Sequence, residues 1–465
     1  MKTVSLECEV VTPMFTGGPD PKEGFPEIRA ASLKGCLRFW YRAFGMGSSA
    51  EERRIFGSSD GGRSKVRIKV AEADMSLINQ REDFSRTPGI CYLGYGVIDK
   101  GKTVRKGFDA GSRFNLRLTF DDTLGAADSL SIMHALWAFF MLGGLGSRTR
   151  KGFGAIRVTN VVKDDISGLK WSFDSRAAFK QALMDFIRDS SAARELPGYT
   201  RWSRNARCIL GPQQDECLPA LNEFGKEFLA FRSAKNPACD TTALDDHDSM
   251  IEFIKTGQLR AIPLRAKFGL PHNYYFSRSI GAKAEVNTLE DEGKLGRRAS
   301  PLMIHLQQFE DGKCSMVVTF LPAKFLPANR DVLVSSQTLP QFTQNEILNE
   351  VEFTRRLSSL SVFSDLNYGT LQNVLKTLTD KLGDQRLTND LKAEIDNTAY
   401  KEIVAGCGTR DRKWLNRYLL NRFLGNCVMQ KEEVHRRMPI SPDDGYSAVE
   451  HFLSHLTSKG SEVIA

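Results

Sequence analysis

A glycine-rich basic segment stands near the end of the first third of the chain. Residues 143–154 contain five glycines and the three cations Arg148, Arg150 and Lys151, and no Asp or Glu occurs between Asp128 and Asp164. Glycine allows positive φ angles and a close approach of the backbone to a ligand, and the cations supply charge for an anion. The segment follows an apolar run and precedes a β-type run, so the pattern predicts a loop that holds the backbone of a polyanion.

Two nucleotide-binding templates do not fit this loop. A P-loop needs Ser or Thr after its lysine, whereas Lys151 is followed by Gly152. A dinucleotide loop follows a strand and has a third glycine where this chain has Thr149. We therefore expect no nucleotide cofactor. The alternatives are phosphate-backbone binding and a purely structural turn whose cations are solvated.

A second basic row is predicted on the first helix. Ser32 has the residue type of an N-cap before the run Leu33 to Phe44. Lys34, Arg38 and Arg42 are spaced i, i+4 and i+8 and share one face, away from an apolar stripe. A solvated basic face explains this row equally well, but the positive end of a helix next to Ser32 suits a phosphate.

Catalytic and metal-binding alternatives have weaker support. Metal-free RNA cleavage needs a positioned general base, and the candidates are His134, His272 and a loop acid such as Asp20. A histidine beside Trp137 is typical of a packed core, and His272 has no identifiable partner. The cysteine and histidine spacings do not match zinc fingers or ribbons, so we expect no metal.

The composition is that of an ordinary globular protein, and its positive net charge favours an acidic partner. The 465 residues are 41% hydrophobic and 26% charged, with a net charge of +8. Residues 1–160 hold 24 Lys and Arg against 17 Asp and Glu, a balance of +7. The nine cysteines form no CxxC pair, and no apolar run reaches the roughly 18 residues of a membrane helix. These features predict free thiols and a cytoplasmic location.

The elements that would position the basic loop and helix form a β-α-β-β-α-β order over residues 1–165. Alternating strands are predicted at 3–11, 64–71, 113–120 and 155–162, with helices at 33–44 and 131–142. This is the order of a ferredoxin-like module, the scaffold of RRM domains. The RRM signature of aromatics in the central strands is absent, which favours the helix and loop side as the binding surface.

The rest of the chain predicts a second module and a helical end. Helices are indicated at 175–190, 216–232 and 249–256, and strands at 259–265, 301–306 and 315–321. The predicted fold class is α+β, with two ferredoxin-like (RRM-like) modules of which the second is degraded and carries helical insertions. The predicted domains are 1–165, 166–338 and a C-terminal helical region at 339–465.

Four sequence blocks resemble CRISPR RAMP superfamily proteins. They are Pro13-Met-Phe-Thr-Gly-Gly18, Ser32-Leu-Lys-Gly-Cys-Leu-Arg-Phe-Trp-Tyr-Arg42, Ile55-Phe-Gly-Ser58 and the loop 143–154. The stretches Phe39-Trp-Tyr-Arg-Ala43 and Arg297-Arg-Ala-Ser-Pro-Leu302 are similar to the first RAMP subunit of the Cmr (type III-B) effector complex. The resemblance is strong over 1–162, moderate over 259–327 and absent over the C-terminal helices.

The resemblance implies a non-catalytic subunit that contacts the crRNA 3′ region, the target RNA or both, alongside other RAMP subunits. The predicted RNA-binding residues are Arg29, Ser32, Lys34, Arg38, Arg42, Arg54, Arg148, Arg150 and Lys151. Two further hypotheses stay open. One is a RAMP endoribonuclease for crRNA processing or target cleavage, and the other is an architectural subunit whose basic face meets an acidic protein.

Overall fold

The helices and strands of the chain are known from a computed structural model. It describes residues 1–17, 25–60, 62–78, 84–190, 198–233, 241–259, 261–275, 283–289, 295–326, 330–337, 433–438 and 445–465. The helices are α1 (Ala30–Ala43), α2 (Ser49–Phe56), α3 (Pro88–Leu93), α4 (Ala126–Leu142), α5 (Arg176–Arg188), α6 (Cys217–Arg232), α7 (Thr241–Thr256) and α8 (Ser447–Ser458).

The strands fall into three larger sheets and one short hairpin. They are β1 (Thr3–Val10), β2 (Val66–Asp74), β3 (Ile98–Asp99), β4 (Lys102–Thr103), β5 (Arg113–Phe120), β6 (Ile156–Asp164), β7 (Arg207–Gln214), β8 (His272–Tyr275), β9 (Lys283–Leu289), β10 (Leu295–Gly296), β11 (Leu302–Gln308), β12 (Cys314–Phe320), β13 (Val332–Gln337), β14 (Glu433–Met438) and β15 (Glu462–Val463). The fold is mixed α/β with antiparallel sheets.

The first sheet has the strand order β2-β5-β1-β6. Helix α1 lies between β1 and β2 in the chain, and α4 lies between β5 and β6. The predicted β-α-β-β-α-β order of residues 1–165 is confirmed for these elements. Strand β5 has the predicted bounds 113–120, and the other predicted strand ends lie within three residues of the observed ones.

The second sheet repeats this arrangement with elements from distant parts of the chain. Its order is β11-β12-β7-β15, and α6 follows β7 while α8 precedes β15. The two sheets therefore have the same strand order relative to their sequence order. Residues 339–465 were expected to form a separate helical region, whereas residues 445–465 supply the last strand of this second sheet and the helix before it.

Two expectations are wrong in the region of the third sheet. It has the order β10-β9-β13-β14, and β8 also pairs with β9. The region after Pro340 was expected to be helical, whereas residues 433–438 form a strand. A strand was expected over 259–265, but Leu264–Phe268 is a 3₁₀ helix. Pro263, which precedes this 3₁₀ helix, has no backbone N–H to donate to a neighbouring strand. The helices predicted within residues 339–432 lie outside the described residues.

Helix α1 is positioned by its apolar stripe rather than by a side-chain cap. Leu33, Leu37 and Trp40 are buried against the first sheet and α4. The N-cap residue is Arg29, which makes no capping bond with its side chain. The prediction that Ser32 caps this helix is therefore wrong, because the helix begins at Ala30, three residues before the predicted start, and Ser32 lies in its first turn.

Helix α4 joins the two halves of the fold. It contacts α1 and β6 on the first-module side, and β11 and β12 of the second sheet. Most of its surface is apolar and buried, as expected for a helix with protein on all sides. The loop that follows α4 consequently starts at the junction of the two modules. No helix in the described part of the chain is long and apolar enough to cross a membrane.

Candidate nucleic-acid interface

The glycine-rich loop, residues 143–154, lies beside the segment that follows β1. The Ser147 amide donates to the Phe15 carbonyl at 2.8 Å, and the Gly154 amide donates to the Pro13 carbonyl at 3.0 Å. Gly146 has φ 98°, and a Cβ there would lie 2.6 Å from the Phe15 carbonyl oxygen. Two of the sequence blocks that resemble RAMP proteins are thus neighbours in space, and this glycine is required by their close approach.

The other side of the loop is bonded to the second module. His305 of β11 is buried, and its Nδ1 lies 2.7 Å from the Gly143 carbonyl oxygen. Because a carbonyl only accepts, Nδ1 carries the proton. The Arg150 guanidinium donates to the Ser300 carbonyl. These contacts fix the loop to the second module at Gly143 and at Arg150.

The three loop cations occupy different environments. Arg148 is exposed and has φ 63°, whereas Arg150 lies over the Phe39 ring at 5.2 Å. Burial, assisted by Arg298, lowers the pKa of Arg150 to about 10. Burial and neighbouring cations, of which Arg232 is the foremost, lower the pKa of Lys151 well below its ordinary value. Of the three, Arg148 is the one whose side chain faces solvent.

Sequence reasoning missed the cations that other segments bring to Arg148. The Arg105 guanidinium lies 3.5 Å from the Ser147 hydroxyl oxygen. Partial desolvation of its guanidinium lowers the pKa of Arg148, and the positive charges of Arg105 and Arg297 lower it further. Arg105 and Arg297 thus lie within electrostatic range of Arg148, although all three are far apart along the chain.

Arg105, Arg148 and Arg297 form what we call the exposed arginine cluster. All three are exposed, and in the described part of the chain none makes an ion pair with a carboxylate. Like charges that are gathered without counter-charges attract anions strongly and focus the field at that surface. The cluster therefore suits a polyanion.

The basic row on α1 has a carboxylate partner. Arg38 Nε and Arg42 Nη1 both lie 2.6 Å from one oxygen of Glu52, a buried residue of α2. Two guanidinium groups and one carboxylate leave a net charge of +1 there. Lys34 has a lowered pKa because of partial burial and the nearby charge of Arg38. The predicted row therefore exists on one face of α1, but two of its three cations, Arg38 and Arg42, bond to α2.

The remaining predicted residues lie away from the loop cations. Arg54 Nη2 lies 2.8 Å from both carboxylate oxygens of Asp128. Arg29 is exposed at the start of α1, and Ser32 is partly buried. The three residues have no described contact with the exposed arginine cluster.

The histidines considered for catalysis are held in other contacts. His272 Nδ1 lies 3.1 Å from Arg232 Nη2, and burial together with Arg232 lowers its pKa well below the ordinary value. His134 lies edge-on to Phe186 at 6.0 Å, and burial lowers its pKa. Asp20 lies outside the described residues. Among the residues that the structure describes, no group of three His, Cys, Asp or Glu could hold a metal ion.

Comparison with known families identifies the class of protein. Residues 7–157 match the model of the RAMP superfamily. This stretch is about a third of the chain. It contains β2, β5, α1, α4 and the glycine-rich loop, and parts of β1 and β6. The resemblance to the RAMP superfamily seen in the sequence blocks is confirmed for this stretch.

Within this class the chain is similar to Cmr1 subunits of Pyrococcus furiosus. It is 29% identical over 234 residues to CRISPR system Cmr subunit Cmr1-1, which covers 45% of this chain and 68% of that protein. It is also 29% identical over 182 residues to Cmr subunit Cmr1-2, with 33% of this chain and 93% of that protein covered. Both relatives are named as subunits of a CRISPR Cmr system.

Solved structures show the same likeness at a lower level. The apo crystal structure of Cmr1 from Pyrococcus furiosus matches with a TM-score of 0.47 and 20% identity over 70% of this chain and 90% of that one. A chain in a cryo-EM structure of the type III-B Cmr-beta complex bound to cognate target RNA matches with a TM-score of 0.42 and 14% identity. That match covers 69% of this chain and 94% of the other.

Proposed function

We propose that the chain is a non-catalytic RNA-binding subunit of a type III-B (Cmr) CRISPR effector complex. It contacts the crRNA 3′ region, the target RNA or both, and it assembles with other RAMP subunits. Its similarity to two Cmr1 subunits supports the assembly. Its loop chemistry supports the ligand, since cations with no carboxylate partner bind phosphates without reading bases.

The observation that carries this proposal is the exposed arginine cluster. Arg38, Arg42 and Arg54 have carboxylate partners, whereas Arg105, Arg148 and Arg297 have none in the described part of the chain. A cluster of this kind is costly to gather unless a ligand of opposite charge binds it. We therefore rank these three residues above the α1 row as phosphate contacts.

The fold proposed for this function is a pair of ferredoxin-like RAMP modules. The first spans residues 1–165, and the second starts after residue 165. Matching strand orders in the two sheets support this division. The arginine cluster draws Arg148 and Arg105 from the first module and Arg297 from the second, so an RNA strand bound there contacts both.

The proposal is tested by the salt dependence of RNA binding. We expect Arg105→Ala, Arg148→Ala and Arg297→Ala, combined in the full chain, to weaken binding of a single-stranded RNA oligonucleotide. The log–log slope against salt should fall by roughly 0.7 for each phosphate contact that is lost. Fluorescence anisotropy at several salt concentrations measures both quantities.

Arg54→Ala is the matched control for this experiment. It removes one positive charge from an arginine that already pairs with Asp128, so the slope should change little. An unchanged slope and affinity in the triple variant would contradict the proposed function. Equal losses from Arg54→Ala would show that net charge alone governs binding.

A further inference from the structure

Two exposed tyrosines each lie beside a cation. Tyr95 is 65% exposed and Tyr275 is 62% exposed. Tyr95 follows α3 in the first module, and Tyr275 is the last residue of β8 in the third sheet. Aromatic rings of this size are costly to leave in water, and single-stranded nucleic acids bind proteins through exposed rings set among cations.

A cation accompanies Tyr95. Gly96 has φ 87°, and a Cβ at that position would lie 2.8 Å from Nη2 of Arg148. The missing side chain thus leaves room for the guanidinium immediately after Tyr95. Tyr95 also acts on the pKa of Arg148 in the direction opposite to its cationic neighbours. The ring and the exposed charge of the glycine-rich loop therefore share one surface.

A second cation accompanies Tyr275. It pairs with Lys283 across β8 and β9, and the Lys283 ammonium lies 5.7 Å from the centre of the Tyr275 ring. The pKa of Lys283 is raised, first by its contact with Glu285 and in smaller part by Tyr275 and Tyr95. Both phenol groups consequently lie near one ammonium group.

We propose that Tyr95 and Tyr275 stack on bases of a single RNA strand whose phosphates lie against Arg148. This inference rests on the proposed function and adds a nucleobase subsite to it. Every base has a π-face, so stacking of this kind tolerates any sequence. The neighbouring arginines favour RNA as the occupant, because its phosphates supply the counter-charges that Arg105, Arg148 and Arg297 lack in the described part of the chain.

Base stacking and phosphate contacts can be distinguished because only the phosphate contacts involve charge. Removal of an aromatic ring removes no charge, so the salt slope of binding stays the same while the affinity falls. Removal of Arg148 changes the slope. The two effects can thus be measured in the same titrations on the full chain.

The test compares Tyr95→Ala and Tyr275→Ala with Tyr95→Phe and Tyr275→Phe on a single-stranded RNA oligonucleotide. Each Ala variant should bind about 5-fold to 100-fold more weakly, as base stacking on one ring predicts. The Phe variants keep the ring and should bind within about threefold of the original protein. Tyr199→Ala is the matched control, because Tyr199 is 51% exposed and, within the described residues, it acts on neither Arg148 nor Lys283.

An abasic oligonucleotide of equal length completes the design. On this probe the Ala variants should bind as the original protein does, since no base is present to stack. Unchanged affinity of both Ala variants for ordinary RNA would overturn the stacking proposal and mark the rings as a protein-binding surface. Equal losses on abasic RNA would also overturn it. The proposed function would survive either result as long as the arginine triple variant lowers the slope.

Discussion

At the residue scale, the value of a cation as an RNA contact depends on its neighbours. Arg38 and Arg42 have the spacing of a phosphate-binding row, yet both bond to the buried carboxylate of Glu52. Arg148 lies in a stretch of 35 residues without acids, and it remains exposed. The sequence shows such local absences of acid. It does not show pairing with an acid of another helix, so the sequence alone predicts the α1 row and the loop cations alike as RNA contacts.

Lys151 differs from Arg148, because it is a cation that is buried among other cations. Its ammonium lies 4.5 Å from the centre of the Phe228 ring, near Arg232. Lys151→Met keeps the ring contact and removes the repulsion. We expect the free energy of unfolding to rise by roughly 1 kcal/mol at pH 7, by analogy with other buried charges replaced by apolar groups. Chemical denaturation of the RNA-free protein measures this change.

The pH dependence supplies the check on this explanation. The pKa of Lys151 is lower in the folded chain, so the folded state binds the proton more weakly and the original protein gains stability as pH rises towards the ordinary lysine value. The advantage of Lys151→Met should therefore shrink at alkaline pH. A variant that is less stable than the original at pH 7 would show that Lys151 has a structural role.

At the element scale, the glycine-rich loop was predictable but its second partner was not. The change from an apolar run to glycines and then to a β-type run predicts helix, loop and strand, and α4 and β6 confirm it. The contact from His305 to Gly143 joins residues 162 positions apart. Nothing in either local sequence indicates the other, so the loop looked like a free surface of one module.

His305 makes the stability of this junction dependent on pH, because acid would place a second proton and a charge on a buried ring. Burial lowers its pKa to about 4, and the hydrogen bond to the Gly143 carbonyl offsets only part of that effect. The folded state binds this proton more weakly than the unfolded state, so its contribution is fully present above the ordinary histidine pKa of about 6.5. We expect roughly 3 kcal/mol to be lost as pH falls from about 6.5 to 4.

Denaturation curves at pH 7 and pH 4.5 measure this loss. His305→Asn places an amide donor near the position of Nδ1 and does not titrate, so its stability should fall less between these two pH values. His451→Asn, at an exposed position of α8, should keep the original pH dependence. An identical loss in His305→Asn would assign the acid sensitivity to other groups.

At the scale of the whole molecule, the second sheet is built from residues 207–320 and from residues 462–463, which are far apart along the chain. Strand β15 pairs with β7, and α8 packs on the 3₁₀ helix 264–268. The β-type runs of β11 and β12 were readable in the sequence, and these strands were predicted. The return of residues 445–465 was not, because a helix and a two-residue strand at the end of the chain carry no local sign of the sheet they complete.

This return makes the C-terminus necessary for the glycine-rich loop. The Phe452 ring of α8 lies 4.8 Å from the ring of Phe228 between centroids, and Phe228 in turn lies beneath Lys151. Phe452 is fully buried and also packs on Phe224, Phe231 and Phe268. The aromatic cluster thus connects the last helix of the chain to the loop cations.

Phe452→Ala should therefore destabilise the chain by about 3–5 kcal/mol, the usual range for a buried phenylalanine, and deletion of 445–465 should destabilise it further. Thermal denaturation measures both, with His451→Ala as the control on the exposed face of the same helix. Limited proteolysis shows where the structure opens. We expect early cleavage in the second module and protection of residues 1–165. Equal stability of the deletion variant and the full chain would mean that α8 and β15 are an accessory to a complete second module.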